Sequence, residues 1–253
     1  MRWTDRQTLN LVLLLLGGAL LVVVRDCAYL RYVTASMRWP LVAAGVAVVV
    51  LALVDAVRDA RSGGGGDTAD DGDGHVHAAG PLTWLVALPA LLLLFVAPTP
   101  VSPRGADGVL GGSSVSAGGS APTRGFPPLP PGEAPELGVL DVVRRATLDP
   151  GGGIGDRDVT LVATVLRDGG ATRLGRVAVT CCAADARLVA VRVTDAASLR
   201  RLAPVTDDGW VRAVVRVVPG SAGRETGQVL AVRVVRAEAV DPPENPYDPP
   251  RTY

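Results

Sequence analysis

The side chains best suited to chemistry in this chain sit in Thr180-Cys181-Cys182-Ala183-Ala184-Asp185. Three readings fit two adjacent cysteines with a carboxylate three positions on. They can be a small apolar pair at the end of a strand, because a free cysteine packs as a small hydrophobe. They can ligate a thiophilic cation: two thiolates are half of a tetrahedral zinc site, and Asp185 or a partner chain would supply the rest. They can also close into a vicinal disulfide, whose small ring strains the backbone. On an extended backbone successive side chains point to opposite faces, so one thiol is expected to face inward and the other outward, unless the strand has already ended. The remaining cysteine is Cys27, so three thiols do not make a disulfide framework.

A second candidate donor set lies in Ser62–His77, a glycine-rich acidic stretch that carries both histidines, His75 and His77, beside four aspartates. Imidazole and carboxylate suit zinc and similar ions, and a polar connector of this composition also needs no ligand at all. Evidence for catalysis is thin. No paired carboxylates, triad or phosphate loop stands out, and Gly151-Gly152-Gly153-Ile154-Gly155 lacks the phosphate-loop lysine and precedes a strand. No histidine lies in the second half to activate a cysteine, so the protein is expected not to be an enzyme.

The elements that must position these residues divide sharply. Of 253 residues 48% are hydrophobic, concentrated in the first hundred, and the formal net charge is zero. Three apolar runs are expected to cross a bilayer, at about 9–25, 38–56 and 82–100. The first follows Arg2 and Arg6 as a signal anchor would, but Val24-Arg25-Asp26 is a poor cleavage site, so an uncleaved helix is expected. Trp39 and Tyr32 suit the interface, and Pro89 kinks the third run. Arginines are balanced between the two sides. Orientation therefore rests on the anchor-like start, which puts the N-terminus inside and the C-terminal domain outside the cytoplasm.

Residues 102–136, rich in Gly, Pro, Ser and Ala, read as a flexible linker. Residues 137–247 read as a soluble domain and 248–253 as a tail. Leu137–Ala146 has helical spacing. From Arg157 the period becomes two, with strands expected at 159–165, 173–180, 188–194, 210–218 and 228–239, turn signals between them and a helical turn at Ala196–Leu202. The fold class is thus a membrane α-helical region followed by an all-β domain, a five-stranded OB-like Greek-key barrel. Nucleic acid is not an expected partner, because Trp210 is the domain's one candidate stacking platform and reads better as a core or barrel-end residue. Arg212, Arg216, Arg233 and Arg236 form either an ordinary solvated face or a docking surface for an acidic partner or lipid head groups.

Cys181-Cys182-Ala183-Ala184-Asp185, Trp210-Val211 and the later Pro242, Pro243 and Pro246-Tyr247 carry a resemblance. Together they resemble a family of uncharacterised bacterial membrane proteins described as permease subunits. Its members join a hydrophobic N-terminal region to a C-terminal domain of unknown function and are encoded beside a larger permease. The resemblance implies a partner rather than a reaction: this chain is expected to be a multi-pass cell-membrane protein and a non-enzymatic accessory subunit of a bacterial membrane permease. The alternative is a stand-alone membrane-bound metal or redox sensor working through Cys181 and Cys182.

Overall fold

The computed structural model describes residues 3–61, 100–109, 126–149, 154–221 and 229–248. The chain divides into two compact units. One comprises Met1–Tyr29 with Ser36–Thr99, and the other Leu30–Ala35 with Pro100–Tyr253.

The first unit holds helices α1 (Trp3–Arg25) and α2 (Arg38–Arg61), packed on each other. Glycine makes the close approach possible. A Cβ on Gly17 would lie 2.7 Å from Val49 Cγ2, and one on Gly45 2.9 Å from Leu21 Cδ2, so the crossing needs a bare backbone on both helices. Outward from that crossing, Leu11, Leu15, Leu16, Val22, Val46, Val50 and Leu51 are exposed, a surface that suits lipid better than water. Ala35–Arg61, whose most apolar 18-residue stretch has a mean hydropathy of 2.5, is the one described helix long and apolar enough to span a membrane, and Asn10–Arg25 is a shorter apolar stretch. The third expected span lies outside the described residues.

The second unit is built on five strands: β1 (Asp158–Asp168), β2 (Ala171–Ala178), β3 (Arg187–Val193), β4 (Trp210–Val217) and β5 (Ala231–Ala239). They form one mixed sheet in the order β1-β2-β3-β5-β4, and β4 pairs back onto β1. All pairings are antiparallel except β3–β5, which is parallel and spans two residue pairs, Arg192–Ala231 and Val193–Val232. β1 and β2 turn tightly through Gly169 and Gly170, both at positive φ, as a two-residue hairpin loop demands. Val, Leu and Ala at alternate positions of each strand face a common core, from Val159, Leu161 and Ala163 through Val191 to Val215 and Val232.

Three helices attach to this sheet: α3 (Pro103–Val109), α4 (Val139–Leu148) and α5 (Ala196–Leu202). α5 follows β3, and its N-terminus is capped by Asp195, whose carboxylate accepts from the Ser198 N–H at 2.9 Å. α4 buries Val139, Val142 and Val143 in the core, together with the ion pair Asp141–Arg145 at 3.1 Å. The Arg145 guanidinium also donates to the Pro127 carbonyl and lies 5.2 Å from the Phe126 ring centre.

Composition assigns 102–136 to a linker, but much of that stretch joins the β unit. Val101 and Ala106 pack with Leu166, Val177 and Tyr247. Further on, Leu129 reaches the main core, Glu136 pairs with Thr160, and the Thr160 N–H donates to the Pro135 carbonyl. A Gly/Pro-rich composition hides single anchoring residues of this kind.

Residues 245–248 form a strap whose last two residues are buried, so Asp248, expected to begin the tail, packs into the domain. Tyr247 is 1% exposed and pairs with Val177. Its hydroxyl donates to the Arg31 carbonyl at 2.6 Å and accepts from the Val101 N–H at 3.1 Å. The Asp248 carboxylate accepts from the Leu140 N–H at 2.9 Å and so caps α4 from outside the helix. Gly138 makes room for it: a Cβ there would stand 2.1 Å from Asp248 Oδ1. Burial pushes the Asp248 carboxyl above its ordinary value, and the Leu140 N–H offsets part of that.

Because Tyr247 ties three segments through one ring, Tyr247→Ala is expected to destabilise the β unit by about 3–5 kcal/mol. Tyr247→Phe keeps the packing but leaves the Arg31 and Val101 groups unpaired, at a cost of about 1–3 kcal/mol. Urea unfolding of the full chain in detergent, with Trp3, Trp39 and Trp84 replaced by Phe so that fluorescence reports Trp210, measures both.

Candidate functional site

β2 ends at Ala178, and Val179 still faces inward, 2% exposed. Beyond it the chain leaves the sheet, and Thr180 and Cys181 are exposed. Cys182 stays extended (φ −152°, ψ 170°) before a short 3-10 turn, Ala183–Asp185, leads into β3. The strand has therefore ended before the thiols. Neither cysteine is buried, Cys181 being exposed and Cys182 half-buried. The apolar-pair reading fails on this point, because the turn holds both side chains outside the core.

What folds the turn is the Asp185 carboxylate. Its Oδ1 accepts from the Thr180 N–H at 2.7 Å, and its Oδ2 from the Cys181 N–H at 2.8 Å and the Cys182 N–H at 3.5 Å. Three backbone donors that β2 no longer satisfies thus converge on one anion. The Cys181 thiol donates to the same Oδ2 at 3.0 Å, and the two sulfurs lie 3.7 Å apart. The donor atoms of Cys181, Cys182 and Asp185 all fall within 4.8 Å of one another, the one such metal-competent group among the described residues.

The electrostatics follow from this convergence. The hydrogen bond to Asp185, then that to Cys182, favours the protonated Cys181 thiol and pushes it up to about 11 from 9.0. Burial alone would raise Asp185, but the donations from Cys181 and from the backbone of Thr180, Cys181 and Cys182 outweigh it and hold the carboxyl below its ordinary range. At neutral pH the turn therefore carries a protonated Cys181 thiol on an ionised carboxylate.

The other side of the turn is occupied by residues that sequence reasoning passed over. The Thr34 N–H donates to the Cys181 carbonyl at 3.2 Å, the Ala183 N–H donates to the Tyr32 carbonyl at 2.6 Å, and Val33 pairs with Cys182 in a short antiparallel bridge. Leu30–Ala35 is part of the β unit although it is flanked in sequence by α1 and α2. In sequence it reads as the interfacial end of a span, and no local pattern announces a pairing partner about 150 positions away.

The remaining candidates are dispersed. His75 and His77 lie outside the described residues. Trp210 is half-buried with its ring 5.5 Å from the Arg176 guanidinium. Arg176 in turn donates to the carbonyls of Val162, Asn245 and Pro246, and burial lowers its pKa. In the arginine set, Arg212 is bound to Glu136, and Arg216 to Asp158 at 2.7 Å. Both pairs are surface-exposed and contribute little stability.

The pKa of Cys181 makes a testable statement. A thiol raised from 9.0 to about 11 carries roughly 100-fold less thiolate at pH 8, so alkylation by iodoacetamide is expected to be slower than that of an ordinary cysteine by about that factor. Asp185→Asn removes the charged acceptor and is expected to recover most of the lost rate, read by mass spectrometry of the Cys181 peptide. Since the folded-state value lies above the unfolded one, the clasp's contribution to stability is complete below pH 9 and is lost as pH rises through about 11. Comparison of the chain with family models, with curated proteins and with solved structures finds no match.

Proposed function

We propose that the protein is a non-enzymatic accessory subunit of a membrane permease encoded nearby. In this reading the apolar helices pack on the permease, and the β unit, an OB-like Greek-key barrel, docks on it or handles its ligand outside the cytoplasm. The strand order β1-β2-β3-β5-β4 with α5 between β3 and β4 supports the barrel assignment. The partner assignment is supported by the resemblance carried on Cys181-Cys182-Ala183-Ala184-Asp185, Trp210-Val211 and Pro246-Tyr247.

The observation that supports the arrangement of the anchor is that Leu30–Ala35, between two apolar helices, belongs to the β unit. If α1 and α2 both cross the bilayer, residues 30–35 emerge on one side and residue 62 on the other. Residues from 100 onward share a unit with 30–35, so an odd number of crossings must separate 62 from 100. The apolar run Leu82–Val101 supplies one. The alternative, a sensor that acts without a permease, uses the same anchor and barrel and differs in needing no protein partner.

Solubilisation in mild detergent with a C-terminal affinity tag is expected to recover the neighbouring permease in constant proportion. Recovery of the tagged chain alone would favour the sensor. Separately, an epitope inserted at Gly63–Gly66 and one after Tyr253 are expected to be protected and accessible, respectively, in intact cells. Finding both on the same side would sink the three-span arrangement.

A further inference from the structure

The turn at the end of β2 has the dimensions of a cation site. Two sulfurs on a tetrahedral zinc-sized ion, each at about 2.3 Å, stand about 3.8 Å apart. Cys181 and Cys182 Sγ are already 3.7 Å apart, without the opposite-face geometry that an extended strand would impose. An oxygen at about 2.0–2.2 Å on the same ion would lie about 3.5 Å from each sulfur. Asp185 Oδ2 is 3.0 Å from Cys181 Sγ, the separation set by the hydrogen bond, so loading asks for an opening of about half an ångström. The turn is at the surface, so an ion reaches it without unfolding the core.

We propose that Cys181, Cys182 and Asp185 form a three-ligand site for a thiophilic divalent cation of the zinc class, and that segment 30–35 reports its occupancy. Each thiol gives up its proton to solvent on loading, so one cation displaces two protons and no electron is transferred. Three protein ligands leave the fourth position to water or to a donor from elsewhere, and this makes the site exchangeable rather than structural. Soft thiolates select this class over calcium or magnesium. The reporter is the backbone. Ligation through Cys181 and Cys182 fixes the Cys181 carbonyl, which accepts from Thr34, and steadies the adjoining Ala183 N–H, which donates to Tyr32, so loading tightens the pairing of 30–35 with the turn. The proposal does not rest on the permease: a failed co-purification leaves it standing, and an absent cation leaves the accessory-subunit reading standing.

The test uses the full chain in detergent, reduced and stripped with chelator, then titrated with zinc chloride alone and in parallel with cobalt(II). The expected results are one equivalent bound at micromolar metal and a cobalt spectrum with thiolate charge-transfer absorption and intense tetrahedral d–d bands. Amide exchange at Thr34 and Ala183 is expected to slow by about tenfold. Cys181→Ser with Cys182→Ser is expected to abolish binding and the exchange effect while leaving exchange in β1–β5 unchanged. Asp185→Asn is expected to weaken binding. His75→Ala with His77→Ala is expected to leave the bound equivalent in place. Failure to bind zinc or cobalt, or binding that survives the double serine variant, overturns the site. Binding with no change in exchange at Thr34 and Ala183 overturns the reporting role.

Discussion

The structure depends first on a short piece of backbone pairing, residues 32–34 against 181–183. Where β2 stops, its next peptide groups would face water or a void, and an unpaired strand end is a liability. Two devices satisfy them. The Asp185 carboxylate takes N–H groups on one side, and the stretch between α1 and α2 takes the Cys181 carbonyl and the Ala183 N–H on the other. Both thiols stay outside the core, and the Cys181 thiol donates to the same carboxylate. That placement, rather than any reactivity of the sulfur itself, is what the proposed cation site relies on.

A second constraint is the strap at 245–248, which satisfies backbone groups of Arg31, Val101 and Leu140 as Asp185 satisfies those of the turn. Tyr247 fills a satellite core with Val101, Ala106 and Val177 and spends its hydroxyl on two backbone groups. Asp248 enters the space left by Gly138 and caps α4, which has no capping side chain of its own. A buried carboxylate is expensive unless its oxygens are bonded, and the Leu140 N–H, which has no partner within α4, is the donor that offsets this cost. Arg176 closes the arrangement by binding the strap's carbonyls while lying over Trp210.

How much was legible beforehand follows from the range of each interaction. Strands and short helices are local. Alternating Val and Leu placed β1 and β4 to within a few residues, Gly169-Gly170 marked the hairpin, and Ala196–Leu202 was read with its observed bounds. The strap, the docking of 101–106 and the pairing of 30–35 are each made by one or two side chains or bare peptide groups between distant positions, and no periodicity encodes them. At the turn the residue types were legible and the geometry was not. That both sulfurs lie on one side follows from the strand's ending at Ala178, two residues earlier than the pattern suggested. Asp185, read as a ligand, is also the acceptor that folds the turn, a role its residue type did not announce.

The hydrogen bond between Tyr247 and Arg31 joins groups 216 positions apart. A ribosome releases the chain from its N-terminal end, so the Arg31 carbonyl and the groups at 32–34 emerge long before anything that will pair with them. During that interval they must be hydrated or held by a chaperone, and they cannot rest in hydrocarbon. Final closure must await the translation of Tyr247, which makes assembly of this small unit a late and non-local event.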